Sequence, residues 1–336
     1  MNIAIVGATG NVGRKIIEIL EKKQINIENL FLLASKNSEG KKIIYNGNEH
    51  IVTDLEKFDF SSVKIAFFAA GSGIAEKWAH VAAEKTIVID NSKYFRKDPD
   101  IPLIVPEVNS KKLSDVKNKN IIANANCSVI PVVVALKPLH DLYNINRIVA
   151  STYQSVSGAG KSAMDELLSQ TEDYFQNKEI DSKNFTKQIA FNAIPHIDSF
   201  LENGYTKEEQ KTTDEIKKIL DKKIKVTSTC VRIPVLVSHC ISANVEFNKK
   251  CDLDEIRKVL STSPGCKVID EHQDGGYITP VEAEDKFETF ISRIRLDESR
   301  ENTINLWIVS DNLVKGAALN AVQIAESLIT NDFYGR

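Results

Sequence analysis

A chain of 336 residues has material for two domains, or for one large domain with a sizeable core. With 42% hydrophobic and 26% charged residues it reads as an ordinary soluble globular protein, and a formal net charge of −3 offers no global field for nucleic acid or an anionic membrane. No apolar run reaches the ~18 residues that a membrane span needs. The start of the chain lacks the basic segment and apolar stretch of a secretory signal. The five cysteines contain no C-x-x-C pair, so free thiols in a reducing, cytoplasmic compartment are expected. Five cysteines and six histidines without ligand spacing predict no metal site.

In chain order, residues 2–6 read as a strand, 12–22 as a helix with Ile16, Ile17 and Leu20 on one face, and 29–34 as a second strand. Strands follow at 63–69, 86–89, 103–105 and 121–123, with a helix through Trp78 and Val81 after the first of these. Continuous apolar strands alternating with helices predict a parallel sheet covered on both faces. Beyond Cys127 the pattern changes. A long helix covers 129–142, strands fall at 147–154, 226–232, 237–247, 288–296 and 303–310, and helices lie near 162–175 and 252–260. Runs of strands with fewer crossovers predict an α+β second domain. Residues 171–190 are polar and read as an irregular surface excursion, and 315–329 as a final amphipathic helix. The expected class is α/β: an N-terminal Rossmann-type parallel sheet over 1–127, completed by a C-terminal helix at 313–336 that returns to it, and an α+β catalytic and dimerisation domain over 128–312.

The segment Gly7-Ala8-Thr9-Gly10-Asn11-Val12-Gly13 follows a strand and opens a helix. Gly7 allows the tight turn, Gly10 lets the backbone approach a diphosphate, and Gly13 permits close packing of helix on sheet. The helix N-terminus then turns unpaired N–H groups toward the phosphates. This predicts a dinucleotide site. NAD sites usually carry an acid at the end of the second strand for the ribose 2′-hydroxyl. Here the chain has Ser35, Lys36, Asn37 and Ser38, followed by Lys41 and Lys42. Hydroxyls and cations suit a 2′-phosphate, so NADP(H) is the expected cofactor.

Cys127 lies just past an apolar strand, in Ala123-Asn124-Ala125-Asn126-Cys127-Ser128, and opens the helix that follows. Pro131 is tolerated in a first turn, and a helix N-terminus stabilises a thiolate. A nucleophilic cysteine is built this way, although cysteine is also a common small core residue. Arg96, Arg232 and His239 are candidate partners. The imidazole suits general acid/base work near neutral pH, but a strand histidine is also often structural, and Arg232 would also serve as a surface ion-pair partner.

Seven motifs then occur in order: GATGNVG at 7–13, SKYFR at 92–96, NANCS at 124–128, STYQSVSGAGK at 151–161, EEQK at 208–211, CVRIPVLVSH at 230–239 and SDNLVKGAA at 310–318. Over nearly the whole chain this series resembles the aspartate-semialdehyde dehydrogenases. The resemblance implies NADPH-dependent reduction of L-aspartyl 4-phosphate to L-aspartate 4-semialdehyde and inorganic phosphate, in the biosynthesis of lysine and diaminopimelate, threonine, methionine and isoleucine. By the same resemblance Cys127 is the nucleophile that carries a thioester, His239 the acid/base, Gln154 the residue that orients substrate, and Asn126 an aid to the oxyanion. Arg232 is implied as the clamp on the substrate carboxylate, Glu208 as the acid on its ammonium, and Arg96 and Lys211 as the phosphate cations. Cofactor contacts are implied at Thr9, Gly10, Asn11 and Val12, at Asn37 and Ser38 beside Ser35, and at Ser157, Gly158 and Asn312. A homodimer is implied as well.

The chain departs from the family pattern at Ala125, where proline often stands, and at Val129, where threonine is frequent. Asn37, with Lys36 beside it, occupies the place of an arginine that binds the 2′-phosphate in many bacterial members. Two other readings stand beside this one. N-acetyl-γ-glutamyl-phosphate reductase performs the same chemistry on a blocked amine, which leaves Glu208 without an ammonium to meet. A dinucleotide-sensing regulator would keep the fold and lose turnover.

Overall fold

The computed structural model describes residues 1–330. The chain divides into two compact units, Met1–Ala125 with the segment from Ala317 onward, and Asn126–Gly316. Cys127 therefore opens the second unit.

The first unit begins with strand β1 (Asn2–Val6), helix α1 (Asn11–Lys22) and strand β2 (Asn29–Ala34). A hairpin of β3 (Lys42–Tyr45) and β4 (Asn48–Ile51) follows, then the short β5 (Thr53–Asp54). The next elements are β6 (Ile65–Phe68), α2 (Ser72–Ala83), β7 (Ile87–Asp90), β8 (Leu103–Ile104), α3 (Pro106–Asn109) and β9 (Ile121–Asn124). Seven strands form one sheet in the order β5-β2-β1-β6-β7-β9-β8, parallel throughout. All four residues of β6, of β7 and of β9 are buried, as continuous apolar strands with both faces covered must be. The final helix (Leu319–Thr330) packs on α1, α3 and β7, so the chain's last described segment completes the first unit.

The second unit opens with α4 (Val129–Tyr143), whose residues Val129 to Leu136 are all buried. It continues through β10 (Ile145–Gln154), α5 (Lys161–Phe175), α6 (Lys207–Ile219), β11 (Lys225–Arg232), β12 (His239–Phe247), α7 (Leu253–Thr262), β13 (Cys266–Val268), α8 (Pro280–Ala283), β14 (Thr289–Leu296) and β15 (Thr303–Ser310). Six strands form a mixed sheet, β11-β10-β12-β15-β14-β13. Helix α4 packs on β12, β14 and β15 and against α6 and α7. That position explains why α4 is apolar nearly all round.

Several elements differ from the sequence expectation. The β3–β4 hairpin and β5 were not anticipated, because their short alternating runs are mostly exposed. Helix α6 was also missed. Its inward face carries Glu208, Glu209 and Glu215, which hides the apolar period. The readable signal there was the capping box, in which Thr206 and Glu209 bond each other's backbone N–H groups. The polar stretch 171–190 is not wholly a surface excursion. It ends in buried Ile189 and Ala190, which pack with Val156, Ala163, Leu167 and Ile194. Buried Gln170 accepts the N–H groups of both, and buried Glu166 accepts those of Lys183 and Asn184. Two polar side chains thus replace a sheet partner for this segment. Where one helix was expected at 315–329, a π turn (Val314–Ala318) precedes the α-helix. Residues 331–336 of the expected returning helix lie outside the described residues.

The glycine turn is set by close contact. Gly7 has φ +87°, and a Cβ there would lie 2.7 Å from the Ala69 carbonyl. A Cβ on Gly13 would lie 2.2 Å from the Gly7 oxygen. We predict that Gly13→Ala destabilises the protein by about 1–3 kcal/mol, the cost of overpacking. Urea unfolding followed by circular dichroism measures it, and an unchanged midpoint would contradict the packing argument.

Candidate active site

In the first unit, the carboxyl ends of β1, β2 and β6 border a cleft of about 540 Å³. Gly7, Thr9 and Gly10 line it from the glycine turn, and Ser35, Lys36 and Asn37 from the end of β2. Gly10 forms the N-terminal cap of α1, the end of a helix that directs N–H groups outward. This is the side of a parallel sheet at which dinucleotides bind, and Gly7 and Gly10, which carry no side chains, line it. Asn11, Val12 and Ser38 are not among the lining residues. Ser38 is buried and accepts a bond from Lys41 at 3.3 Å. The sequence reading found no acid at the end of β2, yet Asp54 and Glu56, twenty residues further along the chain, line the same cleft. The Asp54 carboxylate takes the Glu56 N–H, and Glu56 pairs with Lys77 at 2.9 Å. Arg96 also belongs to this unit. It is buried and donates to the Asn91 carbonyl at 3.0 Å.

In the second unit, one end of the mixed sheet collects the other candidates. Strand β10 ends at Gln154, and its parallel neighbour β11 ends opposite, at Arg232. Strand β12 runs antiparallel to β10 and begins at His239. Cys127 precedes α4, and its sulfur lies 3.3 Å from His239 Nε2. On the other side of the ring, Nδ1 lies 3.1 Å from the Ser155 N–H nitrogen and 3.1 Å from Ser155 Oγ. His239 is fully buried. Burial, with the Arg232 charge acting in the same direction, lowers its pKa to about 3. Burial also lowers the pKa of Arg232, whose guanidinium donates to the Ser155 carbonyl at 2.6 Å.

Glu208 is the hub of the polar side. Its carboxylate accepts from Asn126 Nδ2 at 3.0 Å and from Gln154 Nε2 at 3.3 Å, and pairs with Lys211 at 2.6 Å. Lys211 also reaches Asp198 at 3.0 Å. Burial alone would raise the pKa of Glu208, but the Lys211 charge and these hydrogen bonds take it below the ordinary carboxylate value. For Lys211, burial is outweighed by Glu208 and Asp198, and its pKa rises.

Asn126 braces the turn that carries the thiol. Its N–H donates to Glu215 at 2.7 Å, and its Oδ1 accepts from Ser128 N at 2.8 Å and Ser128 Oγ at 2.7 Å. Its carbonyl accepts the N–H groups of Val129 and Ile130. The amides of Ser128, Val129 and Ile130 are therefore already bonded. Ser157 and Asn312 sit behind the histidine. Asn312 Oδ1 accepts from Ser155 Oγ, Ser157 Oγ and the Ser238 N–H. Close approaches explain two glycines. A Cβ on Gly316 would lie 3.0 Å from the Cys127 Cβ, and one on Gly158 would lie 3.1 Å from Arg232 Nη1 and 3.3 Å from His239 Nε2.

Sequence reasoning passed over Ser155, Asp198, Glu215 and Gly316. Ser155 and Gly316 lie inside quoted motifs, and Glu215 stands seven residues beyond Glu208 on one face of α6. No local pattern marked Asp198. All five cysteines are free thiols, and burial pushes Cys230 and Cys240 up to about 12. Among the described residues, no cluster of three or more His, Cys, Asp or Glu side chains is placed to hold a metal, and no helix is long and apolar enough to cross a membrane.

A dinucleotide-type cleft in one unit and a thiol–imidazole pair beside a buried cation and acid in the other define a semialdehyde dehydrogenase. The family models agree, with "Semialdehyde dehydrogenase, NAD binding domain" matching residues 2–116 and "Semialdehyde dehydrogenase, dimerisation domain" matching residues 136–315. The chain belongs to the aspartate-semialdehyde dehydrogenase family. It is 49% identical to the enzyme of that name from Rickettsia bellii, over 98% of this chain and 97% of the relative, and 49% identical to that from Aquifex aeolicus, over 97% of each. The crystal structure of aspartate semialdehyde dehydrogenase II from Vibrio cholerae superposes with a TM-score of 0.97 at 46% identity, covering 99% of both chains, and the same enzyme has been solved complexed with ASA.

Gly158→Ala should leave the unfolding midpoint nearly unchanged, since only side-chain ends are in the way. Displacing Arg232 and His239 should nevertheless lower kcat/KM by about ten- to hundredfold. Parallel thermal melts and steady-state kinetics separate the two effects, and full activity would contradict the stated crowding.

Proposed function

We propose that the chain catalyses the reversible, NADP-dependent interconversion of L-aspartyl 4-phosphate with L-aspartate 4-semialdehyde and inorganic phosphate, through a thioester on Cys127. The observation that carries this reading is the Cys127 sulfur 3.3 Å from His239 Nε2, beside buried Arg232 and Glu208. In the reductive direction the Cys127 thiolate forms a bond to the acyl carbon, and phosphate leaves with the electron pair of the C–O bond. A nicotinamide dinucleotide held at the glycine turn would supply the hydride that reduces the thioester. The thiohemiacetal then gives its hydroxyl proton to His239 as the C=O bond re-forms and the C–S bond breaks, so that sulfur recovers its electron pair and the aldehyde leaves. Such an enzyme serves biosynthesis of lysine and diaminopimelate, threonine, methionine and isoleucine.

The charges match a four-carbon substrate bearing a carboxylate, an ammonium and a phosphate. Arg232 presents a fork suited to the α-carboxylate, and Gln154, bonded to Glu208, orients the substrate. Glu208 already holds an ammonium in the free protein, that of Lys211. The substrate ammonium replaces it there and releases Lys211 to serve as a phosphate cation, the role also proposed for Arg96. Asn126 serves by holding the turn of Cys127 in place. An acid with this role favours a free amine over the N-acetylated substrate. Gly7, Thr9, Gly10, Ser35, Lys36 and Asn37 would hold the dinucleotide. Lys36 beside two small polar side chains supports a 2′-phosphate, while the acids of that cleft are engaged by Lys77 and a backbone N–H. The dimerisation-domain match over 136–315 supports a homodimer.

Brief exposure to aspartate semialdehyde and NADP+ without phosphate should leave an acyl adduct on the Cys127 peptide, read by mass spectrometry. Cys127→Ala should abolish the adduct and turnover and keep NADPH affinity. NAD+ run in parallel should label more slowly. Absence of the adduct, or turnover of the N-acetylated glutamate semialdehyde alone, overturns the reading.

Asp198 leads to a separate expectation. Asp198→Asn removes one of the two carboxylates on Lys211, so KM for phosphate should fall by about two- to fivefold, the worth of one half-buried ion pair. Initial rates against phosphate concentration measure this, and a raised KM would contradict it.

A further inference from the structure

The chain's two tryptophans are held in different ways. Trp307 packs its ring on Tyr153, with centroids 5.5 Å apart, and its Nε1–H donates to the Ile278 carbonyl at 3.1 Å. Trp78 has neither contact. It is half-buried on α2, and among the described residues it pairs with no other ring and its Nε1 has no hydrogen-bond partner. A tryptophan that serves packing buries its ring and usually satisfies its N–H. Trp78 instead lines the cleft of the first unit. Helix α2 is built to present it there. Its inward face is small, with Ala75, Ala79, Ala82 and Ala83 buried, and it packs on β6 and β7. Ile74 and Trp78 stand one turn apart on the same side of the helix, and both line the cleft, as does buried Leu55.

We propose that Trp78 is a cofactor-binding residue whose indole is the platform on which the adenine ring of the dinucleotide stacks. This rests on the reading of that cleft as a dinucleotide site. The cleft carries two kinds of wall. The glycine turn, Lys36 and Asn37 suit a diphosphate and the substituents of a ribose, whereas Leu55, Ile74 and Trp78 offer a flat apolar surface. The ribose at the end of the second strand of such a sheet is the adenosine ribose, and within that half of the cofactor the base is the part that gains from apolar walls. Lys77 does not hold the ring against it. Its ammonium lies 5.2 Å from the indole centroid and pairs with Glu56 at 2.9 Å. The two partners are 61% and 65% exposed, and neither an exposed ion pair nor an exposed cation over a ring is worth much. A base therefore takes over the ring face while Lys77 stays with Glu56. Stacking reads no particular edge of a base. Trp78 thus adds the same affinity to NADP(H) and to NAD(H), and the choice between them falls to the residues that follow β2.

The test uses the full-length protein and two probes that carry the adenine and no nicotinamide, 2′,5′-ADP and 5′-ADP. Calorimetry reads their binding, and a probe that binds should quench the tryptophan emission of the wild-type protein in a saturable way. Trp78→Phe keeps a smaller platform, so it should bind within about threefold of wild type and lose the quenching. Trp78→Ala should weaken the probes, and NADPH and NADH alike, by about tenfold or more. Binding of neither probe, binding without quenching in the wild type, quenching that survives in Trp78→Phe, or undiminished affinity in Trp78→Ala overturns the proposal. If Trp78→Ala does not fold, the wild-type and Trp78→Phe titrations decide. None of these readouts needs turnover or the thiol, so failure here is distinct from the absence of a Cys127 acyl adduct.

Discussion

The second unit depends on the register of three strands. Parallel pairing of β10 with β11 sets Gln154 opposite Arg232, and antiparallel pairing of β10 with β12 sets Tyr153 opposite Cys240. Side chains alternate along a strand, so a slip of one residue would turn each of these groups to the other face. The register brings Gln154, Arg232 and His239 to one end of the sheet, where the turn before α4 presents the sulfur. No single loop has to hold the geometry. It follows from backbone ladders whose cost of disruption is shared along eight or more residue pairs.

Burying charge there has a price that hydrogen bonds offset. A lone buried carboxylate or guanidinium would be costly. Glu208 accepts from Asn126 and Gln154 and pairs with Lys211, and Arg232 donates to the Ser155 carbonyl. Each of these partners also fixes a neighbour of the thiol, so the groups that make burial tolerable are the ones that give the site its shape. Removing one partner leaves the other uncompensated, which favours a rigid arrangement over a stable one.

Much of this was legible in the sequence. Strands β1, β2 and β15 coincide with the residues read for them, because their apolar runs are bounded by clear turn residues. The glycine turn and the cysteine at a helix start carry local chemistry and could be read on their own. Other features were hidden for physical reasons. Helix α6 turns glutamates inward, which inverts the pattern that reveals most helices. Asp54 reaches the cleft of the first unit from a two-residue strand paired with β2, and pairing between strands leaves no mark in a single chain. The contacts that Ser155 makes with His239 and Arg232 run through its backbone N–H and carbonyl, which every residue possesses, so residue type gave no warning of them.

Two of the remaining thiols stand next in the chain to the site's own residues, Cys240 beside His239 and Cys230 two places before Arg232. Both are buried, and both are held near 12, so at neutral pH they stay protonated and poor in nucleophilic character. An electrophile entering this protein therefore meets a sorted set of sulfurs. At this end of the sheet, oxidants and covalent ligands are steered past those two sulfurs to the half-buried thiol at the mouth of α4, so the fold itself supplies chemoselectivity within the site.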